Sequence, residues 1–434
     1  MSIRIKNAKV WNGRNFEKKD LYINSEGIFV SFLKEEEIRK SIDLESFYVF
    51  PGFVDSHAHV LGVGIKKLIK NLEGDFVNEI LKTEESIIVG RGWSKLPDNI
   101  NKLLDFDRPV ILIRRCGHVA WINNKAKNLL KLKENMIFEN ELEKIWSLLP
   151  EDFYEYAFKL GEKQFLKSGV TCVHSDDFHG ISFETLKKLL SRSEIRIYEK
   201  LYTDRPWDYE YGNYGISEIF GIKIFADGSL GGKTAFLSKP YKGSENSGVN
   251  TLPHNFSKII DFADRNGLQV CVHAIGDQAV TEVLNAFGRS YGHRIIHAQI
   301  IKKADFERLK NFVFSIQPHF YFEDLPLLEN IQDGEYLLYP FFEMYRKNID
   351  IAFSTDSPVS PENPWYVIQS AVKMGFSLED SIKLYTEHGG KIIDKPIGKI
   401  SPGYYADFVV YEKQFYSTPK AVFVGGKQVF GEKL

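Results

Sequence analysis

The sequence predicts an α/β fold: a (β/α)8 TIM barrel with a small β-sandwich domain built from both chain ends and an insertion after barrel strand 1. Three observations predict it. Eight short apolar, β-branched runs alternate with longer helix-like segments through the middle of the chain, the pattern of βα units in a parallel sheet. The two ends have a different texture, short strand-like runs separated by turns. The first and second runs lie about a hundred residues apart, far more than one βα unit needs.

The opening segment reads as strands in IRIKNAKV, in DLYINSEGIFVSF with a Glu26-Gly27 turn, and in FYVFPGFVD. The C-terminus matches it in ADFVVYE and AVFVGGKQVF, where Gly425 and Gly426 mark a turn. Residues 1–50 and 396–434 are therefore expected to pair as the small domain, leaving 51–395 for the barrel. The eight barrel runs are FPGFVDSHA (50–58), GVTCVHS (169–175), EIRIYEKLY (194–202), GIKIFADG (221–228), LQVCVHAIG (268–276), RIIHAQ (294–299), FVFSIQP (312–318) and IAFSTDS (351–357). The insertion, at about 62–165, has strand-like runs SIIVGRGW and PVILIRRCGHVAWIN and helical character over 138–166.

Composition excludes several classes of protein. Of 434 residues 43% are hydrophobic and 26% charged, enough to bury a large core without disulfides. Formal net charge is −2, with 56 basic against 58 acidic residues, so no nucleic-acid footprint is expected. The three cysteines, Cys116, Cys172 and Cys271, sit in apolar runs without CxxC spacing and read as buried free thiols of a reducing compartment. No signal-peptide h-region opens the chain, and no apolar run is long enough to span a membrane. A cytoplasmic protein without membrane association is expected.

His57 and His59 are two apart on the first barrel run, so alternation turns both imidazoles to one face, joined by Asp55. The inward face of a barrel strand is normally apolar, and a divalent metal is one reason to place imidazoles there. Alone, an HxH pair is also compatible with surface or hydrogen-bonded histidines. Further candidates at the ends of other runs favour the metal: Lys223, His273, His297 and Asp356 would converge at the C-terminal mouth of the barrel, where barrel chemistry sits.

At this point the sequence resembles a family. PGFVDSHAHV is similar to the opening barrel strand of the amidohydrolase superfamily. GRGW (90–93), RRCGHVAWINNKA (114–126), KIFADGSLGGKTA (223–235), VHAIGDQAV (272–280), RIIHAQ, STDSPVSP (354–361) and IGKISPGYYADFVVY (397–411) resemble its YtcJ-like branch, in order and over nearly the whole chain. The resemblance implies that His57 and His59 bind one metal with Asp356, and His273 and His297 a second. It implies that Lys223, carboxylated on its amine, bridges the two. An unmodified ammonium would repel a metal. The other reading of Lys223 is a lysine paired with Asp227, or another carboxylate, beside a single ion. The cofactor expected is one or two divalent ions, with zinc the first choice, and a homodimer is the family-level expectation.

Asp356 and His297 are the catalytic candidates. Zinc lowers the pKa of bound water, and Asp356 can take the proton of the nucleophile and pass it to a leaving nitrogen. His118, Trp93 and Asp227 are candidates for contact with a small-molecule substrate; His118 and Trp93 also read as packing residues of the insertion. His174 stands behind the site or is structural. Lys233 replaces an arginine common among relatives, and His388 an asparagine. These features point to hydrolysis of a carbon–nitrogen bond other than a peptide bond, in an N-acyl or N-formyl amine or a cyclic amide. Deamination or ester cleavage on the same centre, and a catalytically silent regulatory or binding protein, are the alternatives.

Overall fold

The computed structural model describes residues 1–434 apart from 115–118, 139–140, 142, 147 and 414. The chain divides into two compact units, Met1–Val60 with Glu162–Asp177 and Leu190–Leu434, and Leu61–Gly161 with Phe178–Leu189.

In the first unit the chain ends share one hydrogen-bonded sheet. Its order is Lys427–Gly431, Ala421–Val424, Phe408–Tyr411, Tyr48–Pro51, Ile3–Trp11, Phe16–Ile23 and Phe29–Val30, with Lys40–Asp43 also on Ile3–Trp11. The two termini meet where Phe408–Tyr411 runs antiparallel to Tyr48–Pro51, Val409 opposite Phe50. Alternate residues, among them Ile3, Ile5, Val10, Phe408 and Phe423, fill a common apolar core. The expected sandwich is thus one continuous sheet with its alternate side chains in that core.

The same unit contains the barrel strands β1 (Phe53–Ala58), β2 (Val170–Ser175), β3 (Arg196–Tyr202), β4 (Ser217–Phe225), β5 (Gln269–Ala274), β6 (Arg294–His297), β7 (Val313–Ile316) and β8 (Asp350–Phe353). They pair in parallel in sequence order. Between β8 and β1 side chains and loop amides make the join: Ser56 Oγ donates to Phe353 O at 2.9 Å and the His59 amide to Ser357 O at 2.7 Å.

Strand β4 starts four residues before the expected run. Gly212–Tyr214 folds back antiparallel on Ser217–Ile219, and the polar Ser217 and Glu218 hide that hairpin from a reading based on apolar runs. The helix Phe256–Asn266 is typical of those outside the barrel. Phe256, Ile259, Ile260 and Ala263 recur at helical spacing and are buried, and Gly267 ends the helix at φ 65°, a conformation favoured by glycine.

The second unit contains a five-stranded sheet, ordered Met136–Phe138, Val119–Ile122, Val110–Arg114, Ile88–Trp93 and Lys70–Asn71. The helical character expected over 138–166 resolves into Glu143–Trp146 and Glu151–Lys167. Pro150 lies just before the second of these, and a proline disfavours helix in the residue preceding it. Among the described residues no helix is long and apolar enough to cross a membrane.

Candidate metal centre

Strand β1 is buried along its whole length and delivers His57; His59 follows just beyond its end. The two rings lie 5.2 Å apart, centroid to centroid. From β8 the chain continues to Asp356, whose Oδ1 is 3.1 Å from His57 Nε2 and 3.4 Å from His59 Nε2. From β2 it continues to Asp176, whose Oδ1 is 3.1 Å from His59 Nδ1 and 3.7 Å from His57 Nδ1. The other Asp176 oxygen meets Lys223 Nζ at 2.5 Å.

His297 ends β6, and its orientation is fixed from behind. Gln317 donates its amide nitrogen to Ser354 Oγ at 2.8 Å, which turns Oε1 toward His297 Nδ1 at 2.9 Å. A carbonyl oxygen only accepts, so Nδ1 carries the hydrogen and Nε2 keeps its lone pair. By the same logic His273 donates Nε2–H to Gly228 O at 3.0 Å and keeps the lone pair of Nδ1. The His273 and His297 ring centroids are 4.4 Å apart. His297 (φ 76°) and Asp356 (φ 59°) both adopt the left-handed backbone conformation, uncommon outside glycine and concentrated at functional sites.

Burial, reinforced by the Lys223 charge, holds His57 well below the usual histidine range. Burial, then His273 and Lys223, do the same for His297, and burial with Lys223 takes His273 down to about 4. These three imidazoles are neutral, the form that ligates metal. At His59 burial opposes protonation, but Asp176 and Asp356 together outweigh it and push the ring up to about 9.

These residues fit a divalent cation. His57 Nδ1 is buried with no hydrogen-bond partner among the described residues, a costly state for a polar atom unless something else engages it. His57, His59 and Asp176 bring one ligand atom each to within 4.8 Å of one another, and so do His57, His297 and Asp356. Imidazole nitrogens with carboxylate oxygens form the donor set of zinc and related ions.

The structure thus brings together His57, His59, Lys223, His273, His297 and Asp356 of the residues singled out in the sequence. Asp176 joins them unannounced. Its only signal was the pair of aspartates directly after the second apolar run, which also reads as an ordinary turn. Asp227 serves the loops: its carboxylate accepts the amides of Ile275, Gly276 and Phe236 at 3.0, 2.8 and 2.9 Å. Gly276 suits that approach, because a Cβ there would lie 2.0 Å from Phe236 O. Trp93 lies in the apolar core of the second unit with Nε1–H donated to Leu112 O at 2.8 Å. His118 lies outside the described residues. His174 is buried under the cluster, its Nδ1 3.0 Å from Arg294 Nη1.

A parallel eight-stranded barrel with neutral imidazoles and carboxylates converging beyond its C-terminal strand ends is the architecture of the barrel metallohydrolases. The chain belongs to the amidohydrolase family, whose model matches residues 40–430. It is 29% identical to the Bacillus subtilis (strain 168) protein "Putative amidohydrolase YtcJ", over 86% of this chain and 85% of that one. Among solved structures it is similar to an uncharacterized metal-dependent hydrolase from Pyrococcus furiosus, with TM-score 0.85, 26% identity, and 96% of this chain and 100% of that one covered. Another from Pyrococcus horikoshii OT3 gives TM-score 0.84 and 26% identity, covering 99% and 100%.

Proposed function

We propose that the protein is a metal-dependent hydrolase of small molecules, cleaving a carbon–nitrogen bond other than a peptide bond in an N-acyl or N-formyl amine or a cyclic amide. The observation that carries this reading is the approach of Asp176 and Asp356 oxygens to the nitrogens of His57 and His59, with His297 beside them. Zinc is the proposed ion, held by His57, His59 and Asp356, with a second on His273 and His297. A bound ion there supplies Lewis acidity, polarising a carbonyl and acidifying a water.

The chain's own part is proton management and orientation. Asp356 accepts the proton that the attacking water loses as its oxygen bonds to the acyl carbon. It returns that proton to the nitrogen as the C–N bond breaks, so that an acid and an amine leave. Gln317 and Gly228 keep His297 and His273 in the tautomers that present a lone pair.

Lys223 is proposed to be carboxylated. Its positive charge lowers the proton affinity of His57, His59, His273 and His297, which supports a place for its amine near both histidine pairs. Loss of one proton from the ammonium, then uptake of carbon dioxide with loss of a second, would turn a cation near the imidazoles into an anionic oxygen donor.

Metal analysis of protein purified without chelator, paired with a panel of N-formyl, N-acyl and cyclic amides, tests the reading. Up to two divalent ions per chain, mostly lost in His57→Ala together with carboxylate release, is the expected result. A wild-type protein that neither retains nor takes up divalent metal would overturn it. Ammonia release from amine substrates, with no amide turned over, would move the activity to deamination.

A further inference from the structure

Strands β3 and β4 end in aromatic residues, Tyr202 and Phe225. Within β4, Phe225 is two residues beyond Lys223 and so on the same face, one step nearer the mouth. The Phe225 ring lies 5.1 Å from that of His273 and 4.7 Å from Lys223 Nζ. Tyr202 meets Phe225 at 5.2 Å with the ring planes at 87°. Beyond the histidine pair, Phe320 lies parallel to His297 within 17° at 6.3 Å. The imidazoles His273 and His297 are therefore flanked by benzene rings on both sides.

These flanks differ in exposure. Phe320 is buried, Phe225 is half-buried, and Tyr202 leaves 38% of its surface to solvent. Two aromatic residues at neighbouring strand ends, partly open to water beside the candidate ligands, form an apolar surface of the kind that lines ligand sites. Their perpendicular planes make a corner. A flat ring entering it can stack on one wall and present its edge to the other, the two arrangements aromatic pairs prefer, whereas a branched aliphatic group matches neither.

We infer that Phe225 and Tyr202 form an aryl-selective wall, and that the preferred substrates carry an aromatic ring next to the scissile C–N bond. This deepens the hydrolase reading and rests on it for the bond that is cut. Phe225 and Tyr202 set specificity and take no part in the bond-making steps.

The test compares N-formylaniline with N-formylmethylamine, and separately the competitive binding of benzoate and acetate to metal-loaded protein. In Phe225→Ala the aryl-to-methyl ratio of kcat/KM is expected to fall about tenfold, the scale of one lost aromatic contact together with its buried area. Tyr202→Ala should lower it less, and metal content should stay at the wild-type level in both. Phe225→Leu keeps apolar volume but loses the ring, and it replaces the alanine variant if that one does not fold. An unchanged ratio in metal-replete Phe225→Leu and Tyr202→Ala overturns the wall. If neither amide is hydrolysed, the wall is judged by binding alone. Benzoate should then bind more tightly than acetate in the wild type and lose that advantage in Phe225→Leu; equal binding overturns it.

Discussion

The backbone amide of Asp356 donates to the carbonyl of His57 at 2.9 Å, while the Asp356 carboxylate returns to His57 Nε2 at 3.1 Å. Two adjoining strand ends are thus locked together at the point where their candidate ligands meet. Asp55 reinforces the lock from one side, accepting from the amides of His57 at 3.2 Å and Thr355 at 3.1 Å and from Tyr385 Oη at 2.6 Å. The left-handed backbone at Asp356 is held by this arrangement.

Asp356→Asn separates geometry from proton transfer. Asparagine also tolerates the left-handed conformation and keeps one side-chain oxygen, but it cannot carry the proton between water and leaving nitrogen. We expect kcat to fall by about 10²–10⁴-fold, the usual contribution of a positioned acid–base group, with KM changing far less. Steady-state kinetics on protein matched for metal content checks this. A kcat within threefold of wild type would remove Asp356 from that role.

Gln317 acts through His297. In Gln317→Ala the imidazole loses the acceptor that fixes its tautomer and ring plane. Loss of such a supporting contact commonly weakens metal affinity about 10–100-fold. Competition with a chelator should show this shift, and Gln317→Glu, which keeps an acceptor oxygen, should recover most of it.

Much of this was legible in the sequence, for a physical reason. Barrel strands are apolar, so His57, His273 and His297 stand out at the ends of β-branched runs, and the strand ends are where chemistry is built. Asp176 was not legible, because an aspartate after a strand is what a turn requires whether or not it faces a metal. Trp93 shows the limit from another side. Its motif drew attention to the ring, while its burial and its bond to Leu112 depend on contacts that no local pattern encodes. The hairpin before β4 escaped because its strand is short and polar.

Glu162 gives a pH dependence independent of the metal centre. Its carboxyl is buried and pushed up to about 7 by desolvation, against the pull of Ser193 Oγ and the Glu194 and Ile195 amides. The folded state therefore keeps a proton that the unfolded chain releases near 4.3. The resulting stabilisation is complete below about pH 4.3 and is lost as pH rises through about 7, on the order of 3 kcal/mol in all. Glu162→Gln cannot titrate, so urea unfolding between pH 4.5 and 7.5 should show the wild type losing stability relative to the variant as pH rises. Parallel curves would mean that Glu162 titrates normally.

Asp176 carries opposite demands, and its substitution should expose them. It supplies an anion to Lys223 at 2.5 Å and to His59 at 3.1 Å in a buried setting. Asp176→Asn leaves the Lys223 ammonium without that carboxylate, and removing one partner of a buried ion pair costs about 3–5 kcal/mol. In metal-free protein we expect a lower unfolding midpoint, read by calorimetry, and a His59 ring that titrates well below the wild-type value of about 9, read by NMR. Asp356 remains beside His59 at 3.4 Å, so the fall should stop short of the values imposed by burial on His57. If Lys223 is carboxylated in the native protein, the loss is smaller there. The carbamate is an anion that Asp176 would repel, so Asp176→Asn should then be less destabilised in protein held under carbon dioxide and metal than in the metal-free state. An equal loss of stability in both states would show that Lys223 remains an ammonium.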